Sequence, residues 1–249
     1  MKIPFYKSFK LNLRVSYRAF LVFVNPLTFA FFLIRPKEKK LLKLRTPIGK
    51  INVWLRNRQS ARTIFSIFIR EDYPTDMSNK NILDIGSNIG ISAIYFLSRN
   101  KYNKILCFEP DPNNAYYLKK NLELFKERSE IYFYGVGAND SEDIEFNLST
   151  DGKYSSFNEI PSYKLDKKVK VKVISLENAL KKANFNDKYP TLIKIDIEGL
   201  EKKVLNNFDF TEKSNIKELI VEGLGNKEYI NKKAIPRVIN FYVEKFTFS

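Results

Sequence analysis

Asp84, Glu109, Asp196, Glu198 and Glu222 are the residues best placed to do chemistry, because each falls at or just beyond the end of an apolar run that reads as a β-strand. Asp84, Gly86, Asn88 and Gly90 sit in Ile82-Leu83-Asp84-Ile85-Gly86-Ser87-Asn88-Ile89-Gly90. That stretch predicts a buried strand over 81–85, a glycine turn, and a helix from about Ser87 to Leu97. A second strand, 104–108, runs into Glu109, Pro110 and Asp111. Strand, glycine turn, helix and a strand closing on an acid form the half-site that grips an adenosine ribose, with Glu109 accepting from both ribose hydroxyls.

The glycine spacing says which adenosine. A dinucleotide site uses G-x-G-x-x-G to bring bare amides against a pyrophosphate. Here the frame is Asp-x-Gly-x-Asn-x-Gly, and a carboxylate stands where the first of those glycines would be. An anion at the turn opposes phosphate and favours a ligand carrying an ammonium group. S-adenosylmethionine has such a group, a sulfonium and a ribose, and it has no phosphate. Asp84, Gly86, Asn88 and Gly90 are therefore read as the frame for its methionine tail and ribose. Asn139 and Asp140, after a third strand over 131–136, are candidates for the adenine amino group.

The segment 192–201 adds a second set of charges. Alternation along Leu192-Ile193-Lys194-Ile195-Asp196-Ile197-Glu198 puts Lys194, Asp196 and Glu198 on one face. Such a row is costly unless it pairs or lines a cleft. A strand over 218–221 brings Glu222 to the same edge. The chain has no histidine, which removes the commonest general base. Asp196 is the leading base, with Glu198 and Glu222 beside it and Lys194 as a counter-charge whose favoured role is a structural ion pair. Three carboxylates are also enough to hold Mg²⁺ with waters, although no spacing demands a metal.

In this order, REDYP (70–74), DIGSNIG, FEPDP and KIDIEGLE resemble the FkbM-type S-adenosylmethionine-dependent methyltransferases. The resemblance runs from about Leu41 to Gly223. It implies a class I methyltransferase fold, a Rossmann-like doubly wound α/β sheet. It also implies O-methylation, often of sugars in surface polysaccharides, glycolipids or natural products. The expected acceptor is thus a saccharide or glycolipid. Members commonly carry a His shortly after the Glu of the next strand, whereas Val221-Glu222-Gly223-Leu224 has none. The loop 152–156 reaches toward the active site in such proteins, which makes Ser155 and Ser156 weak candidates.

The elements that must position these residues occupy 81–249. The 249 residues carry a net charge of +15, unevenly: residues 1–80 hold 17 Lys and Arg against 4 Asp and Glu, the rest 26 against 24. The basic character thus belongs to the N-terminal part. Residues 41–80 predict a hairpin over 41–55 and a helix capped by Ser60, forming a lid or base. Residues 1–40 place five phenylalanines and Asn25-Pro26 in an uncharged run between basic clusters. That run is short of the roughly 20 apolar residues of a membrane span, and it lacks a signal-peptide cleavage pattern. Two readings stay open: an element lying on an anionic membrane, or short helices packed on the protein. Phosphate neutralisation by the basic segment would suit an RNA methyltransferase instead, but no RNA-binding signature accompanies it. A scaffold retaining the cofactor fold without turnover is a third alternative.

The lone Cys107, inside an apolar strand, reads as a buried, inert thiol, and the simplest compartment is the cytoplasm, with peripheral attachment to its membrane face as the extension of that reading. After Gly223 a helix and the start of a strand at 246–248 are expected, with too little chain for a closing antiparallel hairpin.

Overall fold

The computed structural model describes residues 15–29, 40–149, 155 and 165–248. Its centre is a seven-stranded sheet built from β3 (Asn81–Ile85), β4 (Lys104–Phe108), β5 (Ser129–Tyr132), β9 (Thr191–Ile195), β10 (Ile216–Glu222), β11 (Ala234–Val238) and β12 (Val243–Phe248). The order is β11-β12-β10-β9-β3-β4-β5. β5, β4, β3, β9 and β10 are parallel, and β12 runs antiparallel between β10 and β11. Strand order reverses between β3 and β9, so the carboxyl ends of these two strands open a crevice at the topological switch point.

Alternation along the buried strands divides two cores. Ile82, Ile105, Cys107, Leu192 and Ile220 face one side, which α2 (Ile91–Arg99) and α3 (Pro112–Leu122) cover. Leu83, Ile85, Leu106, Phe108, Ile193 and Ile195 face the other, against α4 (Leu176–Ala183) and α5 (Glu201–Asn206). Cys107 is fully buried and burial pushes its thiol pKa up, which leaves it unreactive. The register sets Asp84 beside Lys194, so two charges meet on the face that Ile82 and Leu192 share.

The N-terminal part packs on the first core. β1 (Lys40–Thr46) and β2 (Gly49–Leu55) form a hairpin that turns at Gly49, φ +119°. Phe23 and Phe29 stack with centroids 4.0 Å apart and are buried with Leu42 and Leu44. Arg45 Nη1 donates to the Phe20 carbonyl at 3.0 Å, and Arg18 Nη1 to that of Ile69 at 3.2 Å. For residues 15–29, then, packing on the protein holds on one face at least.

Several expectations are corrected. The helix after the hairpin, α1 (Arg58–Ile64), is capped by Asn57, with Ser60 completing a capping box at the third position, and it continues as a π-helical turn over Phe65–Arg70. α2 begins at Ile91 rather than Ser87, because Asn88 and Gly90 both hold left-handed backbone (φ +50° and +86°). β5 ends at Tyr132. Gly135–Gly137 (β6) leaves the main sheet to pair with β8 (Leu165–Ser175), itself paired with β7 (Ser141–Ser149). A Cβ at Gly137 would stand 2.8 Å from Val173 Cγ1, so this close pairing needs glycine. β9 stops at Ile195, since Glu198 and Gly199 turn with positive φ. A closing antiparallel hairpin, β11–β12, is present after all. It fits because no α-helix separates β10 from β11, only a 3-10 turn over Lys227–Tyr229.

Candidate active site

A cavity of about 600 Å³ opens at the carboxyl ends of the sheet, within the roughly 300–1,000 Å³ of small-molecule sites. Gly86 and Asn88, Glu109 and Pro110, Asp196 to Glu198, and Glu222 line it. Tyr134 to Val136 form another side, and Arg62, Thr63, Ser66, Ile67, Arg70 and Tyr73 of the N-terminal part close it over. Tyr242 and Asn240, from the loop between β11 and β12, stand at the rim. Six candidates from four separate strand ends therefore share one cavity: Gly86, Asn88, Glu109, Asp196, Glu198 and Glu222.

On the β3–β4 side the polar geometry is set by backbone. Glu109 Oε2 accepts from Asn88 N at 2.7 Å and Oε1 from Asp111 N at 2.9 Å. Asn114 Nδ2 also donates to Oε1, at 3.5 Å, so Oε2 is the oxygen that keeps a lone pair for a further donor. Burial first, then the charge of Asp111, pushes the Glu109 carboxyl up to about 7, against the lowering effect of these hydrogen bonds. Gly86, φ +75°, lets the β9 end come close: a Cβ there would lie 1.8 Å from the Asp196 carbonyl oxygen. No other residue fits.

On the β9–β10 side the contacts are between side chains. Tyr73 Oη donates to Glu222 Oε1 at 2.6 Å and lies 3.4 Å from Asp196 Oδ2. Burial, then Glu222 and Asp196, raises the Tyr73 phenol well above its ordinary pKa, so it stays a donor. Lys194 Nζ is 3.2 Å from Asp84 Oδ1 and 3.7 Å from Asp196 Oδ2, and it donates to the Gly86 carbonyl at 2.6 Å. Burial alone would lower the Lys194 pKa, but Asp84, Asp196 and Glu222 outweigh it and hold the ammonium above its ordinary value. The Asp196 side chain is 25% exposed, whereas that of Asp84 is 0%.

Other candidates lie elsewhere. Asp84 is sealed beneath the turn, where Ser92 Oγ donates to it at 2.6 Å. It is outside the cavity lining and ion-paired with Lys194. Lys194 itself reaches only a small recess beside Gly86. Gly90 caps α2 and packs on Leu118, where a Cβ would lie 2.7 Å from Cδ1. Asn139 and Asp140 are away from the cavity, since the chain left the main sheet seven residues before Asn139, after Tyr132. Asp140 instead accepts from Ser175 N at 2.6 Å. Ser155 lines the cavity and donates to Asp111 Oδ2 at 2.9 Å; Ser156 lies outside the described residues. Tyr73 was not among the candidates, although REDYP carries it. Among the described residues, no group of three or more His, Cys, Asp or Glu side chains is arranged to hold a metal ion.

A parallel sheet with a ribose-type acid after its second core strand, and charged groups at the switch point, defines a Rossmann-like enzyme of the methyltransferase class. The family model described as "Methyltransferase FkbM domain" matches residues 84–248. The chain belongs to that family and is an S-adenosylmethionine-dependent methyltransferase. A curated relative, the AMB antimetabolite synthetase AmbE of Pseudomonas aeruginosa, is 28% identical over 130 residues. The match takes in 51% of this chain and only 6% of that protein. Among solved structures, the precorrin-6y C5,15-methyltransferase of Geobacter metallireducens is similar at TM-score 0.39 and 10% identity, over 72% of this chain and 85% of that one. An O-methyltransferase family protein of Burkholderia thailandensis is similar at TM-score 0.40 and 9% identity, over 77% and 57%.

The cavity residues fit the cofactor. Its volume is adequate, Glu109 offers two anchored acceptor oxygens, and the Gly86 turn leaves backbone bare beside them.

Proposed function

We propose that the enzyme O-methylates a sugar hydroxyl of a surface glycan or glycolipid precursor, with Asp196 as general base. The observation that carries the mechanism is the Tyr73 hydroxyl between Glu222 and Asp196 on the cavity wall. When bound, S-adenosylmethionine supplies an electrophilic methyl group on a positively charged sulfur. Glu109 would accept from the ribose hydroxyls, and the Gly86–Asn88 turn would border the methionine tail. Holding the reactants in line supplies roughly 7–11 kcal/mol of the barrier reduction.

A sugar hydroxyl is a weak nucleophile until its proton leaves, and Asp196 is the half-open carboxylate able to take it. Lys194 Nζ stands behind Asp196, 3.7 Å from Oδ2. Tyr73 directs its O–H to Glu222, at 2.6 Å against 3.4 Å to Asp196 Oδ2, which fixes Glu222 and leaves Asp196 as the carboxylate to accept from the substrate. Tyr242, 71% exposed at the rim, offers a flat apolar face of the sort a pyranose ring stacks on.

Transfer of labelled methyl from S-adenosylmethionine into fractionated native lysate tests the acceptor class. Label in glycolipid or polysaccharide is expected. Label entering RNA or protein alone would end the saccharide reading.

A further inference from the structure

The helical residues 15–22 are apolar on two opposite faces. Val15, Ala19 and Val22, spaced four and three apart, pack against the core. Tyr17, Phe20 and Leu21, on the other side, are 67%, 71% and 53% exposed, and Leu27 in the next helical turn is 80% exposed. A surface helix ordinarily turns polar residues to water. Here the outer stripe is aromatic and aliphatic, the signature of a surface that something covers.

Charge says what covers it. Residues 15–29 and 40–70 contain Arg18, Lys40, Lys43, Arg45, Lys50, Arg56, Arg58, Arg62 and Arg70 and no Asp or Glu at all. Lys43, Lys50 and Arg58 are exposed. A second copy meeting this face symmetrically would set cations against cations. A nucleic acid would satisfy the charges but not the Phe20–Leu21–Leu27 stripe. Only an anionic lipid surface gains from both, through insertion of the apolar side chains and attraction of the lysines. We infer that residues 15–29 with the β1–β2 hairpin form a membrane-contact surface that seats the enzyme on anionic lipid bilayers. Among the described residues no helix is long and apolar enough to cross a membrane, so the contact lies in the headgroup layer. Arg18 ties this segment to the π-helical turn that lines the cavity, by its bond to Ile69 and its ion pair with Glu71. The surface and the cavity therefore share one wall.

Co-sedimentation of the full chain with phosphatidylcholine vesicles, and with equimolar phosphatidylcholine and phosphatidylglycerol, tests this, alongside a single-stranded RNA titration and light scattering. Binding to the anionic vesicles only is expected. Phe20→Ser/Leu21→Ser and, separately, Lys43→Glu/Lys50→Glu should each weaken it by at least about tenfold, with S-adenosylmethionine affinity unchanged as the control for folding. The inference is overturned by failure to bind anionic vesicles, or by binding indifferent to both double substitutions. It is equally overturned by RNA binding that the lysine pair alone controls, or by self-association that Phe20→Ser/Leu21→Ser abolishes. None of these outcomes depends on the identity of the methyl acceptor.

Discussion

The two sides of the cavity are built by different means. Around Glu109, backbone amides hold the carboxylate from two directions, so its position is fixed by the turn and the start of α3. Around Asp196, the partners are a lysine, a tyrosine and a second glutamate, brought from β9, β10 and the segment before β3. The first arrangement suits an invariant ligand recognised by shape. The second suits chemistry, because side chains in contact can trade a proton and shift one another's charge. Lys194 joins the two halves, paired with sealed Asp84 on one flank and half-open Asp196 on the other.

Breaking the shared lysine should have the largest effect. Lys194→Met leaves Asp84 buried without its counter-charge, and a loss of roughly 3–5 kcal/mol in stability is expected from denaturant unfolding. An unchanged midpoint would mean Asp84 is neutralised some other way.

Glu109→Gln addresses the backbone-held half and should weaken S-adenosylmethionine by roughly ten- to a hundredfold in calorimetry, for loss of charge-assisted hydrogen bonds. Because the Glu109 carboxyl titrates at about 7, the ionised acceptor is lost as pH falls through that value. Wild-type affinity should therefore be higher at alkaline pH than at mildly acid pH, and Glu109→Gln should flatten the profile. The stability of the cofactor-free protein should move the other way. A carboxyl raised in the folded state favours folding while protonated, and that contribution fades as pH rises toward 7.

Tyr73→Phe is the mildest change. It removes only the hydroxyl that donates to Glu222, and turnover should fall by about tenfold with cofactor affinity constant. Wild-type turnover would make the phenol a packing residue.

What could be read from the chain follows the same division. Gly86, Asn88 and Glu109 were legible because strand, turn and helix are local in sequence, and their spacing alone brings them together. Asp196 and Glu222 were legible as strand-end acids of a parallel sheet. Tyr73 was not, since its contacts cross 123 and 149 residues and nothing local marks them. The burial of Asp84 was not legible, for the related reason that Lys194, its partner, arrives from 110 positions away. Asn139 and Asp140 stand outside the cavity lining because Gly135 to Gly137 enter a second sheet, an option that apolar alternation does not reveal. The closing hairpin was missed by allotting a helix to a stretch that folds as a short 3-10 turn.

The most direct test is Asp196→Asn, with cofactor affinity by calorimetry and methyl transfer by label measured on one preparation. The division between a binding half and a chemical half predicts affinity within a few fold of wild type and turnover reduced by roughly 10²–10⁴-fold, the contribution of a general base. Turnover that survives the substitution, or affinity that collapses with it, would contradict that division.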